Sequence, residues 1–414
     1  MTIVDRFGSA LRDSGPAIGA AVSLVSIFVA VLGVPLAVVA AIGLTDAQAS
    51  SWILAAYALP GLVTVALVAR YRQPLLFTGN LFILIFISRL GQDLLWAELV
   101  GAGIVAGVVV TIMGPLGLTT RVARVLPTPI VFGLLAGAVL PLVVALFAAL
   151  GTAPLLVGTG LVAWMAARRL TEPRIPAILV AMGAVVLVAG ISGSHGPAPS
   201  TFVLPTLELT TPSFTVAAVV SVAPVMVALI TLQANIPSLV FLRSEGFHPP
   251  RATLDAVSGM GTTLGSLLGP MGVSLSLPAT ALCAGPDAGR KEVRHRAAAI
   301  AGAASVLIGL GAGMAPEVLV WIPPVVLTTV VGLAVVGVLT VSIQRATAGP
   351  LVLGPLVALA VAMSGLELLG LGEFFWALVL GLATSFVLER EGWRAATTPD
   401  PATPGHEDAA RATS

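Results

Sequence analysis

Apolar runs of about 20 residues follow one another along the chain, separated by short polar turns. Runs of that length predict membrane-crossing helices. A membrane β-barrel would instead show shorter segments of alternating hydrophobicity. Basic residues mark every second turn. They stand at Arg6/Arg12, Arg70/Arg72, Arg121/Arg124, Arg168/Arg169/Arg174, Arg243/Arg251, Arg290/Lys291/Arg294/Arg296, Arg345 and Arg390/Arg394. The intervening turns, near residues 45–51, 89–96, 151–154, 192–212, 269–272, 316–317 and 365–373, hold almost no Lys or Arg. This alternation predicts about 14 transmembrane segments with both termini cytoplasmic. Arg89 is the one exception.

Two of these segments do not read as plain spans. The third, residues 73–88, is short and contains Pro74 and Gly79-Asn80. The tenth lies within LLGPMGVSLSLPATALCAGPDAGR (residues 267–290), where Gly, Ser and Pro recur throughout. The two are seven segments apart, and an odd number of spans per half inverts one half relative to the other. The fifth segment (LPTPIVFGLLAGAVL, 126–140) and the twelfth (IPPVVLTTVVGLAVVGVL, 322–339) echo each other as well. Chance matching of Gly, Ala, Val and Leu is the bland alternative, but position, order and orientation agree. The expected fold is an all-α polytopic membrane protein built as a 7+7 inverted repeat. Segments 3 and 10 would each be a short strand followed by a half-helix. Interrupted segments at matching places in two halves point to a transporter's central site.

Composition sharpens the class. The chain is 57% hydrophobic and 9% charged, where a soluble globule carries roughly a quarter charged residues. A net charge of +1 gives no basis for a nucleic-acid partner, and a single cysteine, Cys283, excludes an internal disulfide. Residues 1–14 are polar and of mixed charge, and the apolar sequence after them is too long for a signal-peptide core.

A helix broken at the membrane midplane exposes unpaired backbone N–H groups, which favour an anion or a carbonyl oxygen. In the tenth segment residues 269–273, including Gly272 and Val273, read as extended. Ser274 or Ser276 is the expected N-cap, and Pro278 falls in the first helical turn, where proline is welcome. In the third segment residues 75–77 read as extended, and Thr78-Gly79-Asn80 begins the half-helix. The eighth segment offers Gln233 and Asn235 ahead of Pro237, which frees a carbonyl one turn earlier. Ser23, Ser26 and Gly33-Val34-Pro35 of the first segment could approach at the same depth. The candidate substrate-binding residues are therefore Phe77, Thr78, Gly79, Asn80, Gln233, Asn235, Gly272, Val273, Ser274 and Ser276. Each has a plainer reading: a kinked helix, interhelical amide bonding, or simple packing for Phe77. No acid stands clearly at the midplane. Asp255, one turn into the ninth segment, reads as an interfacial ion pair with Arg251. No nucleophile–base pair, metal-ligand spacing or nucleotide loop appears, so neither an enzyme nor a cofactor is expected. Gly133, Gly137, Gly332 and Gly337 recur at a spacing suited to close helix approach.

The motifs QANIPSLVFLRSEGFHPP (233–250), CAGPDA (283–288) and PTPIVFGLLAGAVL (127–140) together resemble the bacterial benzoate/proton symporter family. The correspondence runs through Asn235/Pro237, then Arg243 with Gly246-Phe247-His248-Pro249-Pro250, then Cys283-Gly285-Pro286-Asp287. That family is similar to the nucleobase and sulfate-type anion transporters. The sequence departs from the pattern at Phe77-Thr78-Gly79-Asn80, where a Ser-Thr-Pro-Gly-like turn is expected. It departs again at Pro270-Met271-Gly272, where a Gly-His-like step is expected. The resemblance implies a core domain of residues 15–125 and 213–315 and a gate domain of residues 126–192 and 316–392. Residues 1–14 would form a cytoplasmic N-terminus, 193–212 an external loop and 393–414 a disordered cytoplasmic tail. It also implies a secondary transporter of a small organic anion, benzoate or a similar aromatic carboxylate, with proton coupling, in the inner membrane. A carrier or channel-like facilitator for a nucleobase-like solute or an inorganic anion is the alternative, and a non-transport membrane protein is the least favoured reading. The partners implied are a small carboxylate solute and the lipid bilayer; a homodimer is compatible with both.

Overall fold

The computed structural model describes residues 3–90, 93–119, 121, 125–170, 176–193, 195–199 and 202–397, with side chains from Gly15 to Ala396. Helices dominate it. The first half holds α1 (Ile3–Val31), α2 (Gly33–Ile42), α3 (Asp46–Tyr71), α4 (Leu81–Leu90) and α5 (Trp96–Met113), then α6 (Thr128–Thr152), α7 (Pro154–Leu170) and α8 (Ala177–Ile191). The second half opens with α9 (Val216–Ala228), a π-helix (Leu229–Asn235) and α10 (Ile236–Ser244). It continues with α11 (Arg251–Ser266), α12 (Leu277–Ala284), α13 (Arg294–Leu310), α14 (Ala315–Trp321), α15 (Pro324–Thr347), α16 (Leu353–Ala362), α17 (Glu373–Leu388) and α18 (Arg390–Thr397). Two three-residue strands, β1 (Phe77–Gly79) and β2 (Val273–Leu275), precede α4 and α12.

Among the described residues, seven helical stretches are long and apolar enough to cross a membrane, from Gly15–Ile42 to Pro324–Thr347. Their outward faces carry exposed Val22, Leu62, Ile112, Val144, Val240 and Leu307. Such a surface suits lipid rather than water. Helix ends follow local rules. Thr45 accepts from the Gln48 N–H and Gln48 accepts from the Thr45 N–H, a capping box that starts α3.

The two ends of the bundle differ in charge. At one end Arg294 reaches Glu245 at 2.9 Å, Lys291 Nζ donates to Gly246 O, and Gln73 Nε2 donates to His248 O. These contacts gather three of the basic turns. At the other end the strap of residues 206–213 lies across three basic-poor turns. Glu208 N–H donates to Ser51 Oγ, Thr210 N–H to Leu267 O, and Ser213 N–H to Ala97 O.

Three of the four glycines singled out by spacing lie at tight crossings. A Cβ on Gly137 would sit 2.5 Å from Leu359 O of α16, and one on Gly332 2.5 Å from Leu146 Cβ of α6; Gly133 faces Pro355 O just as closely. Gly337 is different, because a Cβ there meets nothing within 4 Å. It lies five residues beyond Gly332 and turns away from the crossing.

Candidate functional site

β1 and β2 pair antiparallel, with Phe77 opposite Leu275, Thr78 opposite Ser274 and Gly79 opposite Val273. Asn80 N–H extends the pairing by donating to Gly272 O at 2.7 Å, and Ser276 N–H donates to Leu76 O. Irregular backbone inside a membrane must satisfy its polar groups within the protein, and these strands do so largely for each other. Side chains complete the frame. Phe77 N–H donates to Thr64 Oγ1 (2.8 Å), Val273 N–H to Thr262 Oγ1 (2.9 Å) and Leu275 N–H to Asn235 Oδ1 (3.0 Å). Gly79 faces the Ala56 carbonyl so closely that any Cβ would displace α3. The strands begin later than the sequence suggests, at Phe77 rather than residue 75 and at Val273 rather than residue 269.

The two half-helices start differently. Asn80 caps α4, its Oδ1 accepting from the N–H groups of Phe82 (3.0 Å) and Ile83 (3.3 Å). Its Nδ2 donates to Ser274 Oγ (3.1 Å) and Leu229 O (3.4 Å). The N-cap of α12 is Ser276, and its side chain makes no cap bond. Pro278 has no N–H, so Leu277 and Ala279 present their N–H groups without intrahelical acceptors. This end of α12 carries the positive end of its dipole uncompensated.

Between α9 and α10 the helix widens. Pro237 cannot donate to the Gln233 carbonyl, and Ile236 N–H instead reaches back five residues to Thr231 O. The π-helix that results, a form frequent at functional sites, sends Gln233 and Asn235 in opposite directions. Gln233 is buried and its Oε1 has no hydrogen-bond partner. Asn235 Nδ2 instead donates to Asp255 Oδ1 (2.9 Å) and Ser258 Oγ (3.0 Å). Asp255 itself is buried. Thr119 Oγ1 donates to it at 2.9 Å, whereas Arg251 Nε stands 3.9 Å away. The ion pair read from the sequence is thus present but long, and the amide and hydroxyl contacts are closer.

These elements enclose a cavity of about 200 Å³, well over the roughly 10–15 Å³ that one water needs. Thr78, Gly79, Asn80, Ser274 and Ser276 line it from the two broken segments, and Gln233 from the π-helix. Four other candidates lie behind the lining. Phe77 and Val273 are fully buried among core side chains, Gly272 supports Asn80 through its carbonyl, and Asn235 faces Asp255. The aromatic and apolar wall comes from Leu24, Phe28, Tyr57 and Phe82. Tyr57 OH donates to Phe28 O at 3.3 Å, and Ser305 Oγ donates to Tyr57 O at 2.8 Å. Sequence reasoning missed Tyr57, although it is one of only two tyrosines and lies mid-run in an apolar helix. Pro35 of the first segment lines the cavity; Ser23 instead donates to Gly19 O within α1. Among the described residues no cluster of three or more His, Cys, Asp or Glu could hold a metal.

A family model described as Benzoate membrane transport protein matches residues 14–387. The chain is 30% identical over 345 residues to the inner membrane protein YdcO of Escherichia coli K12, covering 82% of this chain and 87% of that protein. It is 25% identical to the benzoate membrane transport protein of Acinetobacter baylyi, covering 82% and 86%. Among solved structures it is similar to the transmembrane domain of a cyanobacterium bicarbonate transporter, BicA. That match has a TM-score of 0.58 at 16% identity and covers 89% of this chain and 97% of that one. The structure of SLC26A9 matches with a TM-score of 0.61 at 12% identity, covering 91% and 65%. At these identities the structural likeness is one of fold.

Proposed function

Because the chain belongs to the benzoate membrane transport protein family, whose members are membrane transporters and not enzymes, we propose that it carries a small apolar carboxylate, benzoate or a close relative. The observation that carries this reading is the cavity's mixed lining. Much of it is apolar and aromatic, with Phe28, Tyr57 and Phe82. The rest includes the uncapped N-terminus of α12 and Gln233, whose buried Oε1 has no partner. A carboxylate on the Leu277 and Ala279 N–H groups would meet the helix dipole, and Gln233 would turn its amide N–H toward it. The aromatic ring would lie against the wall. An inorganic anion gains nothing from that wall, which disfavours the alternative suggested by the bicarbonate transporter's title.

Transport follows from alternating access, with residues 15–125 and 213–315 as a core moving against a gate of 126–192 and 316–392. In this reading the chain has 14 segments, both termini are cytoplasmic, residues 290–296 face the cytoplasm and the strap after residue 192 faces outside. Proton coupling has a candidate carrier in Asp255. Its partner Asn235 holds Leu275 of β2, so a change of charge on Asp255 reaches the strand that lines the cavity.

Uptake of labelled benzoate into proteoliposomes, with and without an inward proton gradient, tests the whole reading. Gln233→Glu should abolish uptake by placing a negative charge against the carboxylate. Asn80→Ala should weaken binding by about 1–2 kcal/mol, since one buried donor and a cap are lost. Asp255→Asn should leave binding in place and remove the response to the gradient. No benzoate uptake alongside saturable uptake of bicarbonate or a nucleobase would overturn the substrate assignment.

A further inference from the structure

Arg89 is the exception to the distribution of positive charge, and the structure gives it a partner. It lies in the last turn of α4, and its Nη2 stands 3.6 Å from Oε1 of Glu373, the first residue of α17. Arg89 is half-buried and Glu373 nearly fully buried. One turn inward, Phe86 of α4 and Phe374 of α17 stack edge to face, with centroids 4.8 Å apart. α4 is ten residues long, or about 15 Å. The cavity therefore lies at one end of this half-helix and the Arg89–Glu373 pair at the other.

The opposite end of the molecule is built differently. Arg294, the first residue of α13, donates to Ala284 O and Gly289 O and pairs with Glu245. All of these lie within residues 213–315. Arg89, by contrast, reaches from residues 15–125 to residues 316–392. The guanidinium is not fully engaged, because its buried Nε has no partner. A single-point contact of this kind separates more readily than a two-pronged one.

We propose that Arg89 and Glu373 latch the external mouth of the transport path, with the Phe86–Phe374 stack as an apolar seal beneath. This rests on the core, gate and topology assigned above. They are positioning residues: neither lines the cavity, and both act by holding α4 against α17 until the two domains part. An unpaired arginine on an outward-facing turn gains nothing in orienting the chain; one that closes a mouth has a reason to be there.

The test reads accessibility and needs no knowledge of the solute. Val338, which lines the cavity from α15, is replaced by Cys in a Cys283→Ser background. Its labelling by a membrane-impermeant maleimide is then timed from outside intact cells. Glu373→Gln or Arg89→Gln should raise the rate about five-fold, the population shift expected from losing a partly exposed ion pair. The exchange Arg89→Glu with Glu373→Arg should bring it back toward the parent value. An unchanged rate in both single variants, or no recovery in the exchanged pair, overturns the latch. If the neutral variants fail to reach the membrane, Glu373→Asp decides: a shortened carboxylate should give an intermediate rate, and a parent-like rate counts against the pair. Altered labelling without benzoate uptake would refute the substrate and leave the latch standing. Normal uptake with unmoved labelling would do the reverse.

Discussion

Replacing Asn235 with Ala cuts three hydrogen bonds at one buried point. Asn235 Nδ2 donates to Asp255 Oδ1 and Ser258 Oγ, and its Oδ1 accepts the Leu275 N–H, all within 3.0 Å. Hydrogen bonds between membrane helices average about 0.6 kcal/mol, so three would account for roughly 2 kcal/mol. That figure assumes that the stranded groups find new partners. Leu275 N–H belongs to a fully buried strand, and an orphaned buried donor adds about 1–3 kcal/mol. Asp255 keeps Thr119, so its loss is partial. The sum is a destabilisation of about 3–5 kcal/mol. Denaturant unfolding of the purified protein in detergent measures it, and benzoate KM is measured on the folded fraction. Asn235 does not line the cavity, so KM should change less than about two-fold. A stability loss below about 1 kcal/mol, or a raised KM at unchanged stability, would refute the framing role given to Asn235 and return it to the binding site.

Two further outcomes follow from contacts elsewhere. Gly137→Leu should destabilise by at least the ~1–3 kcal/mol typical of overpacking and reduce the protein recovered from membranes, whereas Gly337→Leu should be silent; equal effects would mean that the α6–α16 crossing is looser than described. Glu389, just past α17, accepts the N–H groups of Val352, Leu353 and Gly354 and the Ser385 hydroxyl. Burial pushes its carboxyl up, but those four donors outweigh burial and hold it below the usual range. Its stabilisation is therefore present above the unfolded carboxyl value of ~4.3 and lost as pH falls through the lower folded value. Thermal unfolding between pH 7 and pH 3 should show a smaller acid loss in Glu389→Gln than in the parent, and identical profiles would exclude the contribution.

Some of this was legible along the chain and some was not, for physical reasons. Pro74, Gly79, Gly272 and Pro278 announce two breaks because they disfavour a continuous helix, and both breaks are present. The extent of each strand was less legible: β1 and β2 end where each has the other to bond, and that pairing joins residues nearly 200 apart in sequence. The alternation within a strand sends neighbouring side chains to opposite faces, and the Phe77 side chain is accordingly in the core behind Thr78. Similarly, residues two apart on a helix do not face one another, which already separates Gln233 from Asn235. The π-helix itself has a local cause in Pro237, yet its width depends on packing that sequence does not express. Tyr57 belongs to the cavity because α3 crosses β1 at Gly79, a tertiary fact with no signature beyond the rarity of tyrosine in this chain.

The inequality of the two half-helices gives the site its direction. Both would offer an anion about half a positive charge, and the inverted repeat expected from the sequence would make them equivalent. Asn80 removes the equivalence, because its Oδ1 already occupies the Phe82 and Ile83 N–H groups. The same side chain ties β1 to β2 through Ser274, so the capped half-helix also sets the spacing of the frame. Ser276 does neither for α12, and Pro278 narrows that first turn to the Leu277 and Ala279 donors. One jaw is thus fixed and self-satisfied, while the other is left to be satisfied by what it holds. No Lys or Arg lines the cavity among the described residues, so in the proposed binding mode the charge of a carboxylate would be met by backbone dipoles, the Gln233 amide and the hydroxyls that line the cavity from Thr78, Ser274 and Ser276. Under that proposal the site would bind an anion without a strong counter-charge, and a carrier needs that weakness, because a solute gripped by a buried arginine on one side would not leave on the other.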